Sequence, residues 1–169
     1  MKGAMSSDLV EIDLAKERMK FSSGHFTIFS ATSRENLHGH NFGVAVTCKA
    51  RVGPNGMAVD YGILKDVVTG ICDSLDELFL LPAHSPYLKI ETTASSVRAI
   101  FGEEVLQFLP RDVKILPVRN ITVEDLSAWF LSAILAKLTA DIAALISEVA
   151  VRVSSGPGQG ATSRWSDTP

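Results

Sequence analysis

The chain has 169 residues, 46% of them apolar and 21% charged, with a net charge of −3. That length and balance fit one domain enclosing its own core, and the lack of any basic block leaves no electrostatic footprint for nucleic acid. No apolar run is long enough to span a membrane and "MKGAMSSDLVEIDLAKERMK" lacks the apolar stretch of a signal peptide, so no membrane partner and a cytoplasmic location are expected.

Residues 1–15 are expected to form a partly mobile leader ahead of a single domain over 16–165. From Lys16 to Phe29, loose alternation places Phe21, Ser23, His25, Thr27 and Phe29 on one face of a strand. "SATSRENL" reads as a polar connection. "HNFGVAVTCKARV" is a stronger strand, with Phe42, Val44, Val46, Cys48, Ala50 and Val52 on one side, and "GPNG" ends it in a turn. From Asp60, a suitable N-cap, Ile63, Val67, Ile71, Leu75 and Leu78 recur at helical steps. Short β-like runs fill 87–118, with Gly102 turning a hairpin. A second helix starts near Thr122 and carries Val123, Leu126, Phe130, Ile134 and Leu138 on one stripe. "EVAVRV", the turn "SSGPGQG" and "ATSRW" close the chain as two strands. Two strands, a helix, a β insertion, a helix and two strands describe an α+β domain with helices over an antiparallel sheet. Cys48 and Cys72 are too few and too distant for a disulfide framework and are expected as buried thiols.

His38 and His40, two apart on a strand, project from the same side. Short connections usually make sequential strands neighbours, which would bring His25 opposite that pair. Three imidazoles with a fourth position open describe a catalytic zinc site. The bland alternative is three hydrogen-bonded structural histidines.

"FSSGH" (21–25), "LHGHN" (37–41), "GMAVDYGILK" (56–65), "SLDE" (74–77), "ITVEDLSAW" (121–129) and "VRVSSGPGQGA" (151–161) occur in order. Together they resemble the 6-pyruvoyl-tetrahydropterin synthase family, which includes the 6-carboxy-tetrahydropterin synthases. The resemblance implies zinc on His25, His38 and His40. It also implies the tunnelling fold (T-fold), a four-stranded antiparallel sheet with two helices between strands two and three, leaving 87–118 as an inserted β-hairpin. A homo-hexamer of two stacked trimers, with active sites at subunit junctions and a small pterin as substrate, is implied too.

Three positions depart from the family pattern. Arg34 stands where the 6-carboxy branch has its proton-transfer cysteine, and it cannot act as a base because its pKa stays above about 12. Glu35 gives Glu-x-x-His-Gly-His, resembling the branch in which glutamate replaces the cysteine and 7,8-dihydroneopterin triphosphate is cut to 6-hydroxymethyl-7,8-dihydropterin. A carboxylate of modestly raised pKa would suit that proton transfer; a solvated loop charge is the alternative. The family's Leu-Asp-His reads Leu75-Asp76-Glu77, so Asp76 is retained and Glu77, or His84 from the next loop, would have to replace the histidine. Glu77 also reads as a helix-end charge, and His84 as a surface residue between prolines. Ser155 takes the place of the glutamate that pairs with the pterin edge, a role a hydroxyl cannot fill bidentately. Thr122 and Glu124 could contribute there, or be only an N-cap and a first-turn helix charge.

The expected activity is therefore a zinc-dependent tetrahydropterin synthase-like lyase, with Glu35 as base assisted by Asp76 and Glu77, and Thr122, Glu124 and Ser155 at the substrate. 6-Pyruvoyl or 6-carboxy product formation is an alternative outcome. A non-catalytic zinc-containing module binding a heterocycle is the rival from another class, and a purely structural zinc is a third.

Overall fold

A computed structural model of the chain describes residues 9–167; residues 1–8 of the expected leader lie outside that range. Residues 9–14, also expected in the leader, instead form strand β1 (Leu9–Leu14), paired antiparallel from Leu9↔Arg51 to Leu14↔Val46. Leu14 is buried and Ile12 packs against the core, so this short alternation serves the sheet.

Strand β2 (Lys20–His25) follows, burying Phe21, Ser23 and His25. The face does not run on to Phe29 as expected. The chain leaves the sheet after His25 and makes a small hairpin, β3 (Ile28–Ser30) and β4 (Ser33–Arg34), on which Phe29 is 63% exposed. It re-enters as β5 (His38–Arg51), where Phe42, Val44, Val46, Cys48 and Ala50 are all buried. Helix α1 (Tyr61–Asp73) begins at Asp60, whose side chain accepts from the Gly62 amide. Its buried positions are Leu64, Val68, Ile71 and Cys72; of the expected stripe Ile71 and Leu75 are buried and Val67 packs against the core, but Ile63 is exposed, so the inward face is widened toward Leu64 and Val68. Ile63 and Leu64 are both apolar, and docking on the sheet decides between them.

The insertion is more than a hairpin. Strand β6 (Leu78–Pro82) lies parallel to β2, then β7 (Lys89–Thr92), β8 (Val97–Phe101) and β9 (Glu104–Phe108) form a separate antiparallel sheet. Strand β10 (Val113–Leu116) returns to run parallel to β6. Helix α2 (Val123–Leu135) is capped by Thr122, which accepts from the Asp125 amide, and buries Leu126, Phe130 and Ile134. After the short α3 (Ala140–Ala143), β11 (Ile146–Gly156) and β12 (Gln159–Ser166) complete the sheet.

The antiparallel frame β2-β5-β11-β12, with α1 and α2 between its second and third strands, is the expected one. The sheet is wider than four strands: β1 shares an edge of β5 with β2, while β6 and β10 extend the frame beyond β2. Its helix-covered face holds the main core, where Phe21 stacks on Phe42 and on Phe130. A second apolar cluster joins Phe26 and Ile28 to Leu81, Val97, Ala99 and Phe101 of β6 and the inserted sheet. That cluster fixes where the chain goes after His25. Among the described residues no helix is long and apolar enough to cross a membrane.

Candidate active site

Antiparallel pairing sets His25 directly across from His38, with His40 two residues further along β5. All three side chains therefore meet at one end of the sheet, and their candidate ligand atoms lie within 4.8 Å of one another. The ring centroids are 4.4 Å apart for His25–His38, 5.2 Å for His25–His40 and 4.9 Å for His38–His40. Phe42 lies beneath them, edge-on to His25 and His40, and gives the cluster an apolar floor.

Which nitrogen each ring offers follows from its other contact. His25 Nδ1 lies 3.0 Å from the Ile121 carbonyl and His38 Nδ1 lies 2.9 Å from the Asn36 carbonyl. A carbonyl only accepts, so both Nδ1 atoms carry the proton and both Nε2 atoms present a lone pair, the arrangement that orients metal-ligating imidazoles. Among the described residues, His25 Nε2 is buried without a hydrogen-bond partner. Burial, with the neighbouring His38 next in weight, pushes the His25 pKa down to about 4, which keeps the ring neutral and able to ligate. An orphaned, neutral, buried nitrogen facing two further imidazoles fits a metal such as zinc.

Glu35 stands at the neck of the β3–β4 hairpin. Its carboxylate accepts from the Thr27 amide at 2.9 Å, its own amide donates to the Thr27 carbonyl at 2.8 Å, and Oε2 is 3.8 Å from His38 Nε2. Burial pushes the Glu35 carboxyl up. Hydrogen bonds from Thr27 more than offset this, helped by the two histidines whenever they are protonated, so its pKa is held below the usual carboxylate range. The sequence reading of a raised pKa is corrected: the group is ionised at neutral pH.

One cavity of about 500 Å3 is lined by His25, His38, His40, Glu35, Thr122, Glu124 and Ser155 together. The start of α2 supplies Thr122 and Glu124, while the adjoining ends of β11 and β12 supply Ser155, Gln159 and Gly160. Asp76 and Glu77 are not among its lining residues. Asp76 accepts from the Ser22 amide at 2.6 Å and the Glu77 amide donates to the Ser22 carbonyl, so the pair clamps β2. Glu77 lines a neighbouring hollow with His40, Asn41 and Asp112, and its φ of 58° is left-handed. His84 is exposed in a third hollow beside Arg119 and Trp129. Both cysteines are buried thiols, and burial pushes Cys72 up to about 12.

Sequence reasoning noticed Asn120 only as standing, with Ile121, where the family motif has a proline, and gave it no role in organising the site. Its amide nitrogen donates to the Ile28 carbonyl at 2.8 Å while its oxygen accepts from the Ile28 and Ile121 amides. It thereby ties the Glu35 hairpin to the residue whose carbonyl holds His25. The signal in the sequence was an asparagine two residues before an N-cap, and its partner lies 92 positions away.

The profile of the 6-pyruvoyl tetrahydropterin synthase family matches residues 14–165. The chain belongs to this family. A Methanocaldococcus jannaschii protein provisionally named 6-carboxy-5,6,7,8-tetrahydropterin synthase is 28% identical over 157 residues, covering 92% of this chain and 96% of that one. Among solved structures, a Plasmodium falciparum 6-pyruvoyl tetrahydropterin synthase superposes with a TM-score of 0.89 at 27% identity, covering 95% of this chain and 99% of its own. The Plasmodium vivax 6-pyruvoyl tetrahydropterin synthase gives 0.88 at 25%, covering 94% and 98%. That enzyme has also been solved with a catalytic glutamate replaced by cysteine and by alanine. These likenesses agree with the tunnelling fold and make a tetrahydropterin synthase-like activity on pterins the function class.

Proposed function

We propose that this family member is a zinc-dependent lyase that cuts the side chain of 7,8-dihydroneopterin triphosphate, or a close relative, to give 6-hydroxymethyl-7,8-dihydropterin. The observation that carries the reading is the meeting of three imidazoles with an ionised Glu35 in one cavity. The catalytic glutamate of the Plasmodium vivax enzyme supports a carboxylate, rather than a thiol, in this role.

His25, His38 and His40 would hold the zinc, which supplies polarisation of a substrate oxygen and makes its hydroxyl proton easier to remove. Glu35 takes that proton from the hydroxyl on the second side-chain carbon. The bond between the first and second carbons then breaks. Its electron pair stays on the first carbon, where the dihydropterin ring delocalises it, and the second carbon becomes the aldehyde of a triphosphorylated glycolaldehyde. Glu35 returns the proton to the first carbon, completing the hydroxymethyl group. A carboxylate with a low pKa is a weak base but is always charged and ready, so it suits an acidified hydroxyl better than an ordinary one.

Thr122, Glu124 and Ser155 orient the pterin. Glu124 can accept from two N–H donors at once, which Ser155 cannot. Asp76 and Glu77 stay outside the cavity of their own chain. The homo-hexamer implied by the resemblance, with active sites at subunit junctions, is the arrangement in which they would assist proton movement.

Zinc-loaded protein incubated with 7,8-dihydroneopterin triphosphate, with products separated and identified by mass, tests the reading. The hydroxymethyl product, absent with Glu35→Ala, is expected. A 6-pyruvoyl or 6-carboxy product would reassign the reaction. The serine at position 155 and the remoteness of Asp76 and Glu77 favour a second reading, a zinc-containing heterocycle-binding module. Tight pterin binding without turnover would establish that instead.

A further inference from the structure

The hairpin that carries Glu35 is too small to hold its own shape. Strands β3 and β4 share only the pairs Ile28↔Arg34 and Ser30↔Ser33, with an irregularity between them. An isolated pair of this size is not stable in water. Thr27 secures the neck, Asn120 grips β3, and Ile28 of β3 packs into the second apolar cluster. The polar hold on β4 comes from Arg34.

The Arg34 guanidinium reaches in three directions. Its Nη1 donates to the Glu35 carbonyl at 2.8 Å. Its Nε donates to Glu104 Oε2 at 2.8 Å, and Nη2 donates to the same oxygen. Its Cζ lies over the Phe26 ring, 5.2 Å from the ring centre, and over the Phe101 ring at 5.8 Å. Phe101 and Glu104 face each other across β8 and β9, joined by a turn that needs Gly102 at a φ of 57°. Arg34 is therefore seated on the tip of the inserted sheet, with its side chain 16% exposed. A lysine ammonium could meet Glu104 but has no planar fork to hold the Glu35 carbonyl and lie against the rings as well.

We propose that Arg34 is a positioning residue, a strut between Glu104 of the inserted sheet and the Glu35 backbone that fixes where the Glu35 carboxylate stands beside His38. The inserted sheet thereby sets the proton-transfer geometry without touching substrate. This inference rests on the reading of Glu35 as the base.

The test uses zinc-loaded full-length protein and the variants Arg34→Lys, Glu104→Gln and Glu91→Gln. Glu91 pairs with Arg98 and Lys89 on the same inserted sheet, away from Arg34, and serves as the control. Hydrogen exchange is followed at the Thr27 and Glu35 amides, and kcat, KM and zinc content are measured alongside. Arg34→Lys and Glu104→Gln are expected to speed exchange at both amides by about tenfold or more. They should lower kcat about tenfold, since displacement of a reacting group by a fraction of an ångström is enough, with KM and zinc content unchanged. Glu91→Gln should move none of these. Unchanged exchange in the first two variants overturns the proposal. So does a loss of kcat that merely follows loss of zinc, or that Glu91→Gln reproduces. If the unaltered protein turns over no pterin, the lyase reading fails by itself. Exchange at Thr27 and Glu35 then still decides the strut: a rise confined to the two variants supports it and no rise refutes it.

Discussion

At His25 the fold makes one ring nitrogen available by occupying the other. The Ile121 carbonyl takes the Nδ1 proton, and burial withholds charge from the ring. In an unfolded chain the same ring has a pKa of 6.5, so the unfolded state takes up the proton first as pH falls. The metal-free protein should keep this contribution to stability above about pH 6.5 and lose it progressively as the pH drops through about 4. Urea midpoints across that window measure it, and His25→Gln should flatten the slope; an equal slope in the variant would show that another group is responsible. Glu35→Ala should lower kcat by about 10² to 10⁴ while zinc stays bound, the usual span for removing a general base. Loss of zinc along with the activity would point to a structural role instead. The facing of His38 and His40 is legible in the sequence because a strand repeats every two residues. The low pKa of Glu35 is not, since it depends on Thr27 brought back by a hairpin that depends in turn on Asn120 and the inserted sheet.

Helix α1 shows how far periodicity carries at the level of an element. The start at Asp60 is readable from its capping chemistry, and the helix is where the apolar steps put it. Ile71 and Leu75 are buried as their spacing implies, but which of Ile63 and Leu64 faces inward is not readable, because both are apolar and head overlapping series. The packing predicts that Leu64→Ala costs about 2 to 5 kcal/mol, as for other core truncations, while Ile63→Ala stays within about 0.5 kcal/mol. Denaturant unfolding of both variants checks this, and a larger loss from Ile63→Ala would restore the other stripe. Asp60→Ala should cost about 1 kcal/mol by leaving the Gly62 amide without its acceptor. Strand β1 was obscured for a different reason. Its alternation is short, and its partner, the far half of β5, is fixed only by the register of the finished sheet.

Across the whole molecule, the order of elements and the antiparallel frame are legible because each signal is local: turn residues, caps, and a change of period from two to 3.6. The parallel pairings β6 with β2 and β10 with β6 are not, since no turn announces them and their partners are far apart in sequence. Their consequence is functional, because they carry the inserted sheet to the back of the Glu35 hairpin. Sedimentation should find a hexamer, as the resemblance implies, and a stable, active monomer would remove the junctions at which Asp76 and Glu77 are proposed to act.

Zinc content, measured by elemental mass spectrometry together with X-ray absorption at the zinc edge, is the most direct test of the three-imidazole centre. One zinc per chain with three nitrogen donors is expected, falling to trace levels in His25→Ala, His38→Ala and His40→Ala. Stoichiometric zinc retained in any of the three, or none in the unaltered protein after loading, would contradict it.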